Sequence, residues 1–167
     1  MRYLFALLAF FISLAGHAQP VSEHDLKAFY IYKIALFTEW PQGEQDSFNM
    51  CSLADGNVGA AMKKLEGRRI GDRRIVVANL SSLAAIGQCQ VLFIGERATI
   101  ELPKIASLLG DKPILTVTDV PLLASVGVVL ALDDQRLLFD VNLELCRRIN
   151  LRPMSAMLLL ARNVKKS

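Results

Sequence analysis

The 167-residue sequence holds few of the side chains that usually carry chemistry: two histidines and three cysteines. Past the N-terminal leader described below, only His24 remains, six residues beyond the expected new terminus. A Ser-His-Asp or Cys-His arrangement would have to use that residue, in the first turn of a helix and without a third group to orient it. Cys51, Cys89 and Cys146 are too dispersed to give the spacing of a zinc site. Asp133-Asp134 reads as a turn rather than a catalytic carboxylate pair. No basic run is interleaved with aromatics, which argues against nucleic acid, and there is neither an internal repeat nor a low-complexity segment. Nothing in this inventory asks for a cofactor or a metal.

What is there begins with a leader. Met1-Arg2 is a short positive start, Tyr3 to Leu14 is an almost unbroken apolar run, and Gly16-His17-Ala18 supplies small residues of the kind a signal peptidase reads. Cleavage after Ala18 is expected, giving residues 1–18 as a signal peptide and 19–167 as one domain. The competing reading, an uncleaved anchor, needs about 20 apolar residues, and this run is shorter. Loss of Arg2 leaves 18 Lys and Arg against 16 Asp and Glu, a balance that favours no particular partner. No later apolar run is long enough to span a bilayer.

Ser22-Glu23-His24-Asp25 resembles a capping box, and Leu26, Phe29, Tyr30, Ile34 and Phe37 recur at helical spacing, so a helix is expected over Val21 to Thr38, stopped by Trp40-Pro41. Strands follow at Phe48 to Leu53, Arg74 to Leu80, Val91 to Gly95 and Ile114 to Val117. Helices are expected between them at Val58 to Leu65 and Ile100 to Leu109, with Pro103 in the first turn of the latter. This alternation predicts an α/β fold, a mostly parallel central sheet flanked by helices in a single domain. The end of the chain adds an antiparallel hairpin, Val128 to Leu132 and Leu137 to Val141 around the polar loop 133–136, then helices at Leu143 to Ile149 and Ser155 to Val164.

Cys51 falls in the first strand and Cys89 two residues before the third, so both reach the same end of neighbouring elements, and a Cys51–Cys89 disulfide is expected. The alternative is three buried thiols acting as small hydrophobes, common in general and less so in an exported chain. Cys146, on a helix beside Leu143 and Ile149, reads as such a buried thiol, with an intermolecular bond as the other possibility.

Several stretches, in order, carry a resemblance. They are Leu26-Lys27-Ala28 with Tyr32, Phe37-Thr38-Glu39-Trp40-Pro41, Phe48-Asn49-Met50-Cys51, and Cys89-Gln90-Val91-Leu92-Phe93-Ile94. Ile114-Leu115-Thr116-Val117, Leu138-Phe139-Asp140-Val141-Asn142-Leu143 and Leu158-Leu159-Leu160-Ala161-Arg162 complete the set. Together they resemble the YfiR-like family of periplasmic proteins. The resemblance implies regulation without catalysis: a periplasmic repressor that binds the sensory domain of an inner-membrane diguanylate cyclase of YfiN type and holds down cyclic di-GMP synthesis. It also implies a sequestering outer-membrane lipoprotein, a homodimer, and folding that responds to oxidation. The sequence departs from the best-known pattern in lacking a second cysteine pair between Val128 and Phe139, in reading Ser125-Val126-Gly127 where relatives often have Gly-Gly, and in carrying Cys146.

Arg147, Arg148 and Arg152 are the candidate contacts for an acidic or polar receptor surface. Asp140 and Asn142, alternating with Phe139, Val141 and Leu143, read as a solvated face. The apolar helix from Ser155 reads as core, with a partner surface as the alternative, and Trp40 reads as a ring packed over the sheet. A different class of function, a small-ligand or nucleotide-binding accessory module for a membrane sensor such as a histidine kinase, would use Asp55, Gly56, Asn57 and Gly59. These lie after a strand and open a helix, where parallel sheets hold phosphates. The stretch lacks the G-x-G-x-x-G spacing, and Asn79 stands where a ribose-binding acid would be needed.

Overall fold

The computed structural model describes residues 21–43, 46–134 and 136–166. The expected signal peptide lies outside the described residues. Helix α1, Glu23–Leu36, starts where the Ser22 side chain accepts from the Asp25 amide at 3.1 Å, with Glu23 and Asp25 favourably placed in its first turn. It ends two residues before the expected Thr38, and not because of the proline. Thr38–Glu39 leave the helix as β1 to pair antiparallel with β9, Arg152–Pro153, while the Phe37 amide closes the last turn on Lys33 O at 2.9 Å.

The main sheet runs β10 (Asn163–Lys165), β8 (Arg136–Asn142), β7 (Val128–Asp133), β6 (Leu115–Thr118), β5 (Val91–Ile94), β2 (Ser47–Leu53), β4 (Arg73–Leu80) and β3 (Arg69–Ile70), with β2 its first strand in sequence. Helix α2 (Gly56–Lys63) leads through the short edge strand β3 (Arg69–Ile70) to β4 (Arg73–Leu80), which lies parallel to β2. The chain then crosses to the other side of β2. A 3-10 helix over Leu83–Gln88 delivers β5 (Val91–Ile94), a second over Glu96–Glu101 precedes α3 (Leu102–Leu109), and β6 (Leu115–Thr118) follows. Strands β7 (Val128–Asp133) and β8 (Arg136–Asn142) form the antiparallel hairpin, one pair longer than the sequence suggests because Asp133 faces Arg136 across it. Opposite charges at such a position favour pairing over a wider loop.

Alternation along the strands separates two cores. Phe48, Met50, Val91 and Phe93 face α1 and α2, whereas Cys51, Leu53, Leu92 and Ile94 face α3. Continuous burial of β5 follows from this covering of both faces, as in parallel sheets generally. Cys51 and Cys89 lie on the α3 side, 5.9 Å apart at Cα and joined as a disulfide. Cys146 is fully buried on the α1 side as a free thiol.

The C-terminus differs from expectation. After α4 (Leu143–Arg148), helix α5 covers only Ser155–Leu160, and Ala161 turns to an extended conformation. Asn163–Lys165 becomes β10, added parallel to Asp140–Asn142 of β8. The local apolar run favoured helix to Val164; the unpaired edge of β8 and a two-pronged Arg162–Asp140 contact, 2.9 and 2.6 Å, decided for strand.

Candidate functional site

An apolar groove of about 440 Å³ opens between α1, β8 and α5. Phe29, Tyr30, Phe37 and Ile34 form one wall, Leu137, Leu138 and Phe139 its base, and Met157 and Leu160 the other wall. Helix α1 can present it because its apolar residues spread wider than one stripe: Ala28, Ile31, Ile34 and Ala35 are buried, while Phe29, and Phe37 just past the helix end, remain exposed. The ring of Tyr30 stands edge-on to both Phe29 and Phe139, and Lys33 lies 5.5 Å over the Phe29 ring. On α5 only Met157 is buried; Leu159 is 85% and Leu160 77% exposed. The expectation that this helix is core therefore fails for its last turn. A contiguous exposed apolar surface of this kind, edged by a lysine, has the character of a contact face for another molecule.

The arginines named from the sequence are all exposed, and none is paired with a carboxylate among the described residues. Arg147 and Arg148 occupy the last turn of α4, where a cation offsets the carbonyl end of the helix, and the Arg152 backbone pairs with Glu39. Asp140 and Asn142, by contrast, are not on a solvated face. They are 8% and 2% exposed, because β10 and the 123–127 loop cover that side of β8. Asp140 takes the Arg162 guanidinium, while Asn142 accepts from the Leu145 amide at 3.0 Å and donates to Leu123 O at 2.8 Å, fixing the turn into α4.

Asp55, Gly56, Asn57 and Gly59 open α2 as the sequence suggests. The positive end of that helix is occupied from within: Asp55 Oδ1 accepts from both the Asn57 and Val58 amides at 3.0 Å. The crevice between β2 and β5, where the chain order reverses and parallel sheets take ligands, is also closed by backbone. A Cβ on Gly95 would lie 2.8 Å from Asp55 Cβ and 2.9 Å from Ala54 O. The adjoining hollow is lined by Asp55, Glu96 and Asp119, a sign of charge opposed to phosphate. Asp119 reaches back to α1, where Lys27 Nζ lies 2.6 Å from both Asp119 and Glu23. Burial pulls the Lys27 ammonium down, but its hydrogen bonds to Asp119 and Glu23 outweigh that and hold its pKa above the ordinary lysine value.

Among the described residues no three His, Cys, Asp or Glu side chains cluster as metal ligands, and Nδ1 of His24 has no hydrogen-bond partner to orient the ring. No helix among the described residues is long and apolar enough to cross a membrane. The groove residues were visible in the sequence only as apolar positions on two helices and one strand. Which of them face outward depends on how far α5 extends and how α1 is rolled on the sheet, and neither is a local property.

A family model described as YfiR/HmsC-like matches residues 24–162, nearly the whole described chain. No curated protein matches the sequence.

Proposed function

The chain belongs to the YfiR/HmsC-like family, and from that premise we propose that it is a non-catalytic periplasmic regulator. It binds the periplasmic sensory domain of an inner-membrane diguanylate cyclase of YfiN type and represses cyclic di-GMP synthesis. Residues 1–18 act as the export signal and 19–167 as the regulatory domain. The observation that carries this reading is the apolar groove between α1 and α5, with Phe29, Phe37 and Leu160 exposed around it. A protein that acts by contact needs such a face; a catalyst needs a supported acid or base, which His24 and the scattered cysteines do not provide. The Cys51–Cys89 disulfide fits an oxidising compartment. A homodimer and a sequestering outer-membrane lipoprotein belong to the same reading, since a second protein relieves repression only by binding the free repressor in preference to the membrane-bound one.

The experiment is a pulldown of the mature, oxidised protein from detergent-solubilised inner membranes, with Leu159→Asp/Leu160→Asp alongside. Recovery of a membrane protein with a periplasmic sensory domain and a cytoplasmic cyclase domain, lost in the variant, is expected. Recovery of a sensor kinase would keep the groove and replace the output. Equal recovery by both proteins would remove the groove from the reading.

A further inference from the structure

At the sheet edge away from α5, the stretch Arg68-Arg69-Ile70-Gly71-Asp72-Arg73-Arg74 folds into the β3–β4 hairpin, with Gly71 at φ +57 in its turn. The hairpin brings four guanidinium groups to both faces of one edge. Arg69 and Arg74 are cross-strand partners, so they share a face, and like charges so placed repel. Arg68 and Arg73 lie on the other face, each held over an aromatic ring: Arg68 is 5.7 Å from the centre of Tyr32 and Arg73 5.0 Å from that of Phe48. None of the four is ion-paired with a carboxylate among the described residues. Asp72, the acid in the turn, is engaged through its backbone carbonyl, which accepts from Arg69 Nη2. Nearby Glu66 is already committed to Lys63 and to the Val77 amide.

Beside Arg73 is a cleft of about 360 Å³ whose lining includes Trp40, Pro41 and Gln42. Burial there depresses the Arg73 guanidinium's affinity for its proton, and among the described residues no carboxylate faces it to restore it. The acidic hollow of Asp55, Glu96 and Asp119 sits at the opposite, carboxyl end of the parallel strands, because Arg74 pairs with Ser47 at the start of β2. The four arginines are thus gathered at the amino end of the parallel strands, away from Asp55, Glu96 and Asp119 at the other end.

We infer that the β3–β4 hairpin is a docking edge for the phosphate headgroups of an anionic phospholipid bilayer, one phosphate entering the cleft between Arg73 and Trp40 and others meeting Arg68, Arg69 and Arg74. A single small anion meets one or two guanidinium groups. Four of them along an edge match an array of anions, and arginine suits phosphate through paired N–H donors. Anionic charge also relieves the Arg69–Arg74 repulsion, and the acidic end turns away from the bilayer. This surface is separate from the groove, so it orients the protein at the membrane whichever membrane protein the groove takes.

The test uses the mature, oxidised protein and protein-free vesicles, so a missing cyclase cannot affect it. Sedimentation with vesicles of phosphatidylglycerol and phosphatidylethanolamine should retain the protein, vesicles of phosphatidylcholine should not, and added salt should release it. Each juxtamembrane cation strengthens partition about fivefold, so Arg68→Gln/Arg69→Gln/Arg74→Gln should weaken it roughly 100-fold. Arg73→Lys, which keeps the charge and removes the paired donors, should weaken it severalfold. Arg97→Gln/Lys104→Gln/Lys165→Gln removes the same charge at the carboxyl end of the strands, on α3 and on the opposite edge strand β10, and should leave partition unchanged. No retention on anionic vesicles, or an equal loss in the two triple variants, overturns the assignment. Release by inorganic phosphate beyond that by chloride of equal ionic strength would also overturn it, in favour of a soluble anion.

Discussion

Breaking the Cys51–Cys89 bond should cost this fold a large part of its stability. The cysteines are separated by 38 residues, and the bond ties β2 to the segment that enters β5. Closing such a loop removes about 13 cal/mol/K of unfolded-chain entropy, or about 4 kcal/mol at room temperature, against a total of about 5–15 kcal/mol for a domain. Urea unfolding of the oxidised protein and of a Cys51→Ala/Cys89→Ala variant is the assay; alanine avoids placing an unpaired hydroxyl among Leu53, Ile86 and Leu92. With a slope near 2 kcal/mol per molar urea, the midpoint should fall by about 2 M. Burial pushes the Cys146 thiol up to about 12, so it should neither exchange with the disulfide nor react with a thiol reagent until the protein unfolds. A variant that unfolds at the same urea concentration with the same slope would refute the loop-entropy reasoning. It would mean that the parallel pairing of β2 with β5 already holds that crossing without the covalent tie.

Further outcomes follow from the same contacts. Lys27→Met should lower stability by about 1–3 kcal/mol, because Asp119 keeps its charge and loses its partner; equal urea midpoints would remove the pair from the account. Since the folded-state pKa of Lys27 is raised, its contribution is complete at neutral pH and is lost as pH rises through and beyond the ordinary lysine range, which thermal melts in alkaline buffers can follow. Asp25 is depressed chiefly by its hydrogen bond from Lys64, and Glu66 chiefly by that from Lys63. Their contributions are therefore present above the ordinary carboxylate range and fade as pH falls through it. Gly95→Ala should cost about 1–3 kcal/mol by overpacking, since the new methyl meets the Ala54 carbonyl and Asp55 Cβ; an unchanged melting temperature would show that the crevice can open. Asp140→Asn should speed amide exchange at Val164 and Lys165 more than it lowers global stability, because the Arg162 fork holds only the edge strand β10 in place.

The sequence by itself determined the α/β class, the order of the main strands and helices, and the two cysteines that pair. Each rests on a local signal: short apolar runs that fit a buried sheet, the capping box that begins at Ser22, and the position of Cys51 and Cys89 relative to strands β2 and β5. Its motifs also carried the resemblance that the family match covers from 24 to 162. Tertiary structure alone decided the rest. Thr38–Glu39 leaves the helix because Arg152–Pro153 lies beside it, and Asn163–Lys165 leaves its expected helix because β8 offers an open edge. Asp140 and Asn142 are buried because β10, with Arg162, and the 123–127 loop close over them, and a strand reads as half-solvated until distant segments cover it. The groove and the arginine edge were equally out of reach. Side chains as distant as Phe29 and Leu160, or Tyr32 and Arg68, meet only once the sheet is built, and pairings across such separations leave no periodic trace in the chain.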